Sequence, residues 1–367
     1  MPFCPKCGKK VSEKAIFCYY CGESLPPNEP FQELPITPAE PSSKKEQAQE
    51  TIIKGARYLF DLYWTTALAL IDAAGLKSTL ELIDPYIKFH SAATVQVMKE
   101  KFKFRANDPF SMAVWAQYGA AFNGVRIKNF QLFDQGFTAD LSYCPSQKLS
   151  RDFCYLTEFN TNHMVQAMDN NYEYCYTKML ARGDPYCQIM NKKKSCMIWG
   201  EVTKKSVEVP FPKMSDEELE YWQSANYSQQ WIYMTNALVD FAGKEKAAEM
   251  LRPYMKALGK STAIDLFKEL GLKDRDTKII TLIIDHCNSG TNQKGEYLTR
   301  SPERVEKEIT QCIFSSASQD ICANALEARE NGICEAINPE CEFCLTKRMC
   351  KGDKTCHWVI KKKSAPL

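Results

Sequence analysis

Residues 82–102 read LIDPYIKFHSAATVQVMKEKF, and residues 250–270 read MLRPYMKALGKSTAIDLFKEL. Pro85 meets Pro253 and Tyr86 meets Tyr254 at an offset of 168, and the same offset carries Cys144 to Cys312 and Cys154 to Cys322. One residue later in register, Cys175 meets Cys344, Cys187 meets Cys356, and Gly183-Asp184 meets Gly352-Asp353. The lysine triplet at 192–194 returns at 361–363. Chance does not hold one offset, with a single insertion, from Pro85 to Lys194. The pattern predicts a tandem duplication, with repeat 1 over 51–207, repeat 2 over 219–367 and a joint, EVPFPKMSDEE, over 208–218. Ser215 and Glu218 in that joint form a capping box for the helix that follows.

Within each repeat the apolar spacing is first helical and then alternating. Thr51 to Lys103 carries apolar residues at helical intervals, with breaks expected at Gly75 and at Asp84-Pro85, and Phe110 to Phe122 reads as another helix. Val125, Ile127, Phe130 and Leu132, the turn Asp134-Gln135-Gly136, and then Phe137, Ala139, Leu141 and Tyr143 read as a β-hairpin. A polar helix follows Cys154. A second hairpin runs from Tyr172, turns at 182–185 and returns through Met190. The expected fold class is therefore α+β, with helices followed by antiparallel hairpins in each unit.

Ahead of the repeats stand two different segments. Residues 26–50 carry Pro26, Pro27, Pro30, Pro35, Pro38 and Pro41 and then SSKKEQAQE, which predicts a flexible linker. Residues 1–25 hold Cys4-x-x-Cys7 and Cys18-x-x-Cys21. Two residues between ligands let one tight turn present both sulfurs, and four thiolates complete a tetrahedral zinc shell. Gly8 and Gly22 follow the second cysteine of each pair, where positive φ turns backbone N–H groups toward sulfur. Val11, Ile16 and Phe17 are too little apolar cover to fold this segment without metal. The pattern resembles the zinc ribbons that precede unrelated domains, and iron in a rubredoxin-like site is the chemical rival. A closed shell leaves no position for substrate, so the module is expected to be structural or to dock a protein partner.

Composition bounds the rest. Lys+Arg 47 against Asp+Glu 45 gives a net charge of +2, without the basic excess of a nucleic-acid footprint. The longest apolar run, Ala67 to Leu76, is too short for a membrane span and contains Asp72. A zinc ligand at position 4 leaves no room for a cleaved leader, so the 17 cysteines are expected in a reducing cytoplasm as thiols or metal ligands.

The duplicated cysteines are the candidate site. If the second hairpin turns near Gly183, Met179 lies opposite Cys187, and strand parity then puts Cys175 on the same face. Cys144 and Cys154 could approach them, as could Cys312 and Cys322 approach Cys344 and Cys356. Three readings stay open: core packing, a metal site, or thiol chemistry and ligand contact. The four histidines do not recur. His90, His163, His286 and His357 meet Leu258, Asn331, Tyr118 and Gln188, and His163, between Cys154 and Cys175, is the one to test as a base. Asp184, Asp353, Glu158 and Glu327 are the candidate carboxylates, with Asp184 and Asp353 also placed to shape their turns.

LARGDPYCQIMNKKK and CKGDKTCHWVIKKK resemble the closing motif of 4-vinyl-reductase-type small-molecule-binding domains. The whole repeat, with its Cys-Pro near a strand end and its Gly-Asp-x-x-Cys, resembles more closely the L-2-amino-thiazoline-4-carboxylic acid hydrolase family, over roughly residues 54–200 and 222–363. The first resemblance implies a bound apolar or aromatic small molecule and a zinc held by cysteines and an acid. Such a second metal falls best near Cys341, Cys344, Cys350 and Cys356. The second implies hydrolysis of a cyclic C–N or C–S bond. Three functions follow: a binding module, a hydrolase, or a thiol- or metal-handling protein. The first is preferred, because the recurring residues describe a scaffold better than an acid–base pair.

Overall fold

The computed structural model describes residues 44–103, 108–145, 150–196, 203–288, 291, 293–312, 314 and 319–363, with side chains from Ala56 and, in the segment that begins at 319, from Asn324 onward. The zinc-ribbon cysteines Cys4, Cys7, Cys18 and Cys21 lie outside the described residues, and so does most of the expected linker. Residues 44–50, counted in that linker, already belong to the first helix.

Helix α1 (Lys44–Phe102) is two helical arms, 44–74 and 76–102, joined at Gly75 with φ 77 and ψ 155. Helices α4 (Asp216–Ala242) and α5 (Lys244–Glu269) meet in the same way at Gly243, φ 77 and ψ 159. Both glycines hold a left-handed φ that a Cβ disfavours. The expected break at Pro85 does not occur: Pro85 and Pro253 both lie inside helix. Helix α2 (Pro109–Phe122) starts on Asp108, whose carboxylate accepts from the Phe110 and Ser111 N–H groups. Strands β1 (Arg126–Phe133) and β2 (Gly136–Tyr143), helix α3 (Arg151–Met168), and strands β3 (Tyr172–Lys178) and β4 (Cys187–Lys193) complete the first half, with short β5 (Lys205–Ser206) at the edge. In the second half α6 (Thr277–Asn288), β6 (Lys294–Arg300), β7 (Arg304–Gln311), α7 (Gln319–Ile337), β8 (Cys341–Lys347) and β9 (Cys356–Lys362) follow in the same sequence.

Both sheets are antiparallel, and their strand orders correspond. The first runs β3-β4-β2-β1-β5 and the second β8-β9-β7-β6. The structure also locates the inserted residue. Leu141 pairs with Cys187, and Ile309 with Cys356, which keeps the offset of 168 through β2 and β7. Asn162 accepts from the Tyr174 N–H at 2.9 Å, and Asn331 from the Phe343 N–H at 3.0 Å, so the helices α3 and α7 already carry the longer offset. The insertion therefore precedes α3. Cys322 corresponds in place to Phe153 rather than Cys154, and His163 corresponds to Gly332 rather than Asn331.

The halves exchange helices. Tyr86 donates to Asp240 at 2.5 Å, and Tyr254 donates to Asp72 at 2.5 Å. Each bond is the other shifted by 168 positions, which is how a two-fold related contact reads along one chain. Helix α4 of the second half lies on the first: Gln223 and Tyr227 donate to the carbonyls of Ala121 and Asn123. The first arm of α1 lies reciprocally in the core of the second half, where Tyr58, Leu59 and Leu62 share one cluster with Ile333, Cys334 and Phe343. Trp231 ties the two by donating to the Thr66 hydroxyl at 3.1 Å. Helix α1 is long and apolar enough to cross a membrane by composition alone, and more than half of its apolar window is buried inside this fold.

Candidate functional site

The Gly-Asp-x-x-Cys sequences fold into the same small device in both halves. Gly183 (φ 84) and Gly352 (φ 98) take the left-handed turn. Asp184 accepts from the Met179 N–H at 2.7 Å, and Asp353 accepts from the Arg348 N–H at 2.7 Å. Cys187 Sγ accepts from the Leu180 N–H at 3.3 Å, and Cys356 Sγ from the Met349 N–H at 3.2 Å. A carboxylate and a sulfur thus satisfy backbone donors at a non-repetitive hairpin end. Asp184, Asp353, Cys187 and Cys356 are held by the turn. These two carboxylates face backbone rather than a cavity.

The hairpin does not place its cysteines on one surface. Tyr176 pairs with Ile189 but Lys178 pairs with Gln188, so Thr177 is an extra residue in β3. Leu345 and Lys347 show the same shift around Thr346. One extra residue flips the alternation. Cys175 consequently pairs with Met190, on the face opposite Cys187, and Cys344 pairs with Val359, opposite Cys356. The expectation that each pair points inward together is corrected by this bulge. Cys144, Cys154 and Cys187 do gather around a small void with Tyr176 and Met179. Burial pushes the Cys175 thiol up to about 12 and raises Cys154 and Cys187 as well, so all three are protonated at neutral pH. In the second half Cys312, Cys350 and Cys356 line one cavity, Cys341 is buried in the core, and the Cys322 side chain lies outside the described residues. Cys341 and Cys344 sit on opposite faces of β8, which separates the proposed second-metal ligands. Among the described residues no three His, Cys, Asp or Glu side chains are grouped to hold a metal.

Cys144 lines a larger cavity too, but residues outside the candidate set build most of it. In the first half a space of about 100 Å³ lies between the sheet and the helices α1, α2 and α3, with α4 of the second half as its lid. The sheet contributes Ile127, Leu141, Tyr174, Tyr176, Ile189 and Asn191, all on one face by their pairing. Phe60, Tyr63, Trp115, Phe153 and Tyr227 form the other walls. Among the described residues the lining contains no Lys, Arg, Asp or Glu. Its polar atoms are unusual. Asn191 is wholly buried, and among the described residues neither Oδ1 nor Nδ2 has a hydrogen-bonding partner. Asn160 donates to Tyr233 at 3.3 Å while its Oδ1 is unpartnered, and Trp115 Nε1 is unpartnered too.

This cavity opens outward. His90, Gly119, Asn123, Met164 and Asn226 line it and also line a groove of about 920 Å³ between α1 and α4. Phe89 is 79% exposed in that groove, and Val97 and Tyr221 are exposed beside it. Burial holds the His90 imidazole below its ordinary value, so the one titratable imidazole at the neck is neutral at pH 7. His163, the histidine singled out from sequence, is not in the lining. It pairs instead with Asp84 at 3.0 Å on the seam between α1 and α3, and burial lowers its pKa in spite of that carboxylate. Glu158 is also outside the lining. It is half-buried, accepts from the Tyr176 N–H at 3.3 Å, and is pushed up to about 7 by loss of water. Glu327 pairs with Arg348 at 3.1 Å.

The sequence offered one signal for the missed residues. Cys187, Ile189 and Asn191 alternate inward, and an asparagine on an apolar strand face is anomalous. The contribution of Asn226, Tyr227 and Gln230 from the other half could not be read without the helix exchange.

Residues 3–25 match the zinc-ribbon domain family. Four cysteine sulfurs in two close pairs fit a structural zinc, and that donor set holds the ion with no open position. No curated protein and no solved structure matches the chain.

Proposed function

We propose that this is a zinc-ribbon protein whose body, a tandem duplication, binds a small uncharged molecule in the first-half cavity, with the ribbon serving as a structural or partner-docking module. The observation that carries the reading is the Asn191 side chain, buried without partners in a cavity walled by aromatic rings. An unpaired buried amide group costs roughly 1–3 kcal/mol, a cost that a bound ligand relieves. The hydrolase suggested by the family resemblance would need an acid and a base at the substrate. His90, a neutral imidazole, could serve as the base, but among the described residues the lining supplies no carboxylate to partner it. Thiol chemistry finds little support in thiols that burial keeps protonated.

The test is native mass spectrometry of the intact purified chain, followed by thermal unfolding with toluene as an uncharged single-ring probe. Toluene should raise the midpoint, and Ala116→Ile should abolish the rise by filling the cavity. An unchanged midpoint for the unmodified chain at saturating concentrations of both toluene and the neutral lactam 2-pyridone contradicts the reading. One zinc per chain should be found, bound with about 10–16 kcal/mol of apparent free energy. Its removal by a chelator should unfold residues 3–25 and leave the transition of the body in place.

A further inference from the structure

The three unpartnered polar atoms or groups in the cavity define a ligand more narrowly than "small and uncharged". We propose that the cavity takes a neutral single-ring compound carrying an amide edge, a lactam or a ring carboxamide, whose N–H and C=O pair with Asn191. The inference rests on the cavity-binding reading above and deepens it.

Asn191 lies on β4 between Phe137 of β2 and Tyr174 of β3. Its side chain offers one acceptor and one donor group side by side. A single partner satisfies both only if it presents a donor next to an acceptor, as the amide edge of a lactam does and as asparagine does to adenine. A carboxylate ligand would leave Nδ2 satisfied, Oδ1 facing an anion, and a charge buried in a lining without a cation. A plain hydrocarbon would leave both atoms unpaired.

The fold itself does not need the amide. At the corresponding place in the second half stands Ile360, wholly buried between Val305 and Phe343. Asn160 corresponds in the same way to Arg329, which pairs with Glu330 at 2.5 Å and lies over the Tyr58 ring. The two unpartnered amides thus belong to one half only, the half whose cavity communicates with the groove. Asn160 Oδ1 and Trp115 Nε1 supply one further acceptor and one further donor to the same space. Phe60, Phe153 and Tyr176 present apolar faces to the ring. A volume of about 100 Å³ suits one ring, and any longer substituent must pass His90 and Asn226 into the groove.

The experiment is calorimetric titration of the full chain with 2-pyridone, a neutral single-ring lactam, against toluene and benzoate. Binding of 2-pyridone should exceed that of toluene, and benzoate should not bind. Asn191→Ile should weaken 2-pyridone by about 10- to 100-fold, the worth of a paired donor–acceptor edge, and leave toluene unchanged or tighter. The same variant should unfold at or above the temperature of the unmodified chain, since two unpaired polar atoms are removed. If toluene binds and 2-pyridone does not exceed it, the amide class is wrong and the cavity stands. Unchanged 2-pyridone affinity in Asn191→Ile removes Asn191 from the site. If no probe binds, the cavity reading itself fails. The comparison of probes on the unmodified chain decides the matter even where a variant is poorly expressed.

Discussion

The two halves share a strand order and a hairpin device, yet the seam between their long helices differs. In the second half Gly259 of α5 faces the Arg329 carbonyl and Gly332 of α7 faces the Lys256 carbonyl, so closely that a Cβ at either place would collide. Ser91 and His163 hold the corresponding places in the first half, and His163 reaches across to Asp84. Glycine lets two helices touch by backbone, whereas a serine and an imidazole keep α1 and α3 further apart. The neck follows the seam. Its residues His90, Gly119, Met164 and Asn226 correspond to Leu258, Cys287, Ile333 and Tyr58, of which the last three are buried. A cavity of about 70 Å³ persists at the second sheet, but Glu330 and Arg348 bring charge into its lining. One scaffold thus carries an uncharged space that shares residues with a groove on one side and a smaller, charged space on the other. On this contrast the proposed binding belongs to the first half.

The comparison can be broken at the seam. Gly259→Leu should destabilise the protein by about 3 kcal/mol or more, because backbone carbonyls cannot yield as side chains do. Ser91→Ala at the corresponding place removes a buried hydroxyl without a partner and should be neutral or stabilising by less than about 1 kcal/mol. Urea unfolding of the two variants measures both. Equal costs would mean that the seams do not differ.

A half-buried carboxyl sharpens the contrast through pH. Glu158 is raised from 4.5 to about 7 chiefly by burial. The fold prefers its protonated form, so its contribution is full below about pH 4.5 and is lost as pH rises through 7. Glu158→Gln keeps an acceptor for the Tyr176 N–H and should stabilise the protein at pH 8 by up to about 3 kcal/mol, with little effect at pH 5. A gain of equal size at both pH values would contradict the burial argument.

The smallest expected effect belongs to what the halves share. Tyr86→Phe and Tyr254→Phe each remove one of two reciprocal bonds and should each cost about 0.5–1.5 kcal/mol, equal within error. Both phenols are raised to about 12, Tyr86 by burial and then by Asp240, Tyr254 by Asp72 and then by burial. The stability each provides is present below about pH 10 and is lost as pH rises through 12. Unequal costs would show that the two-fold relation stops short of these contacts.

Much of the scaffold was legible in the sequence. The repeated spacing of Pro85 and Pro253, the alternation along β1 to β4 and the Gly-Asp turns all rest on local chemistry, and the α+β class follows from them. The Gly75 break was legible for the same reason. The cysteine faces were misread because a single bulge residue, Thr177 or Thr346, reverses parity and leaves no mark in composition. The register of α3 was misread because the insertion sits in a connection, where no periodicity exists to reveal it. A cavity between helices and sheet suits an α+β unit, but its lid, α4, comes from across the joint and could not be read. A helix exchange brings together residues such as Asn191 and Tyr227 that no spacing rule relates. Recurring residues marked the frame, while the candidate site lies where the halves differ.

The most direct test is a crystal of the full chain soaked with bromobenzene, with the bromine located by anomalous scattering. The account predicts one peak, between the first sheet and α3, within contact of Phe60 and Phe153. A peak of equal or greater height beside Trp358 and Phe343 in the second half would contradict it.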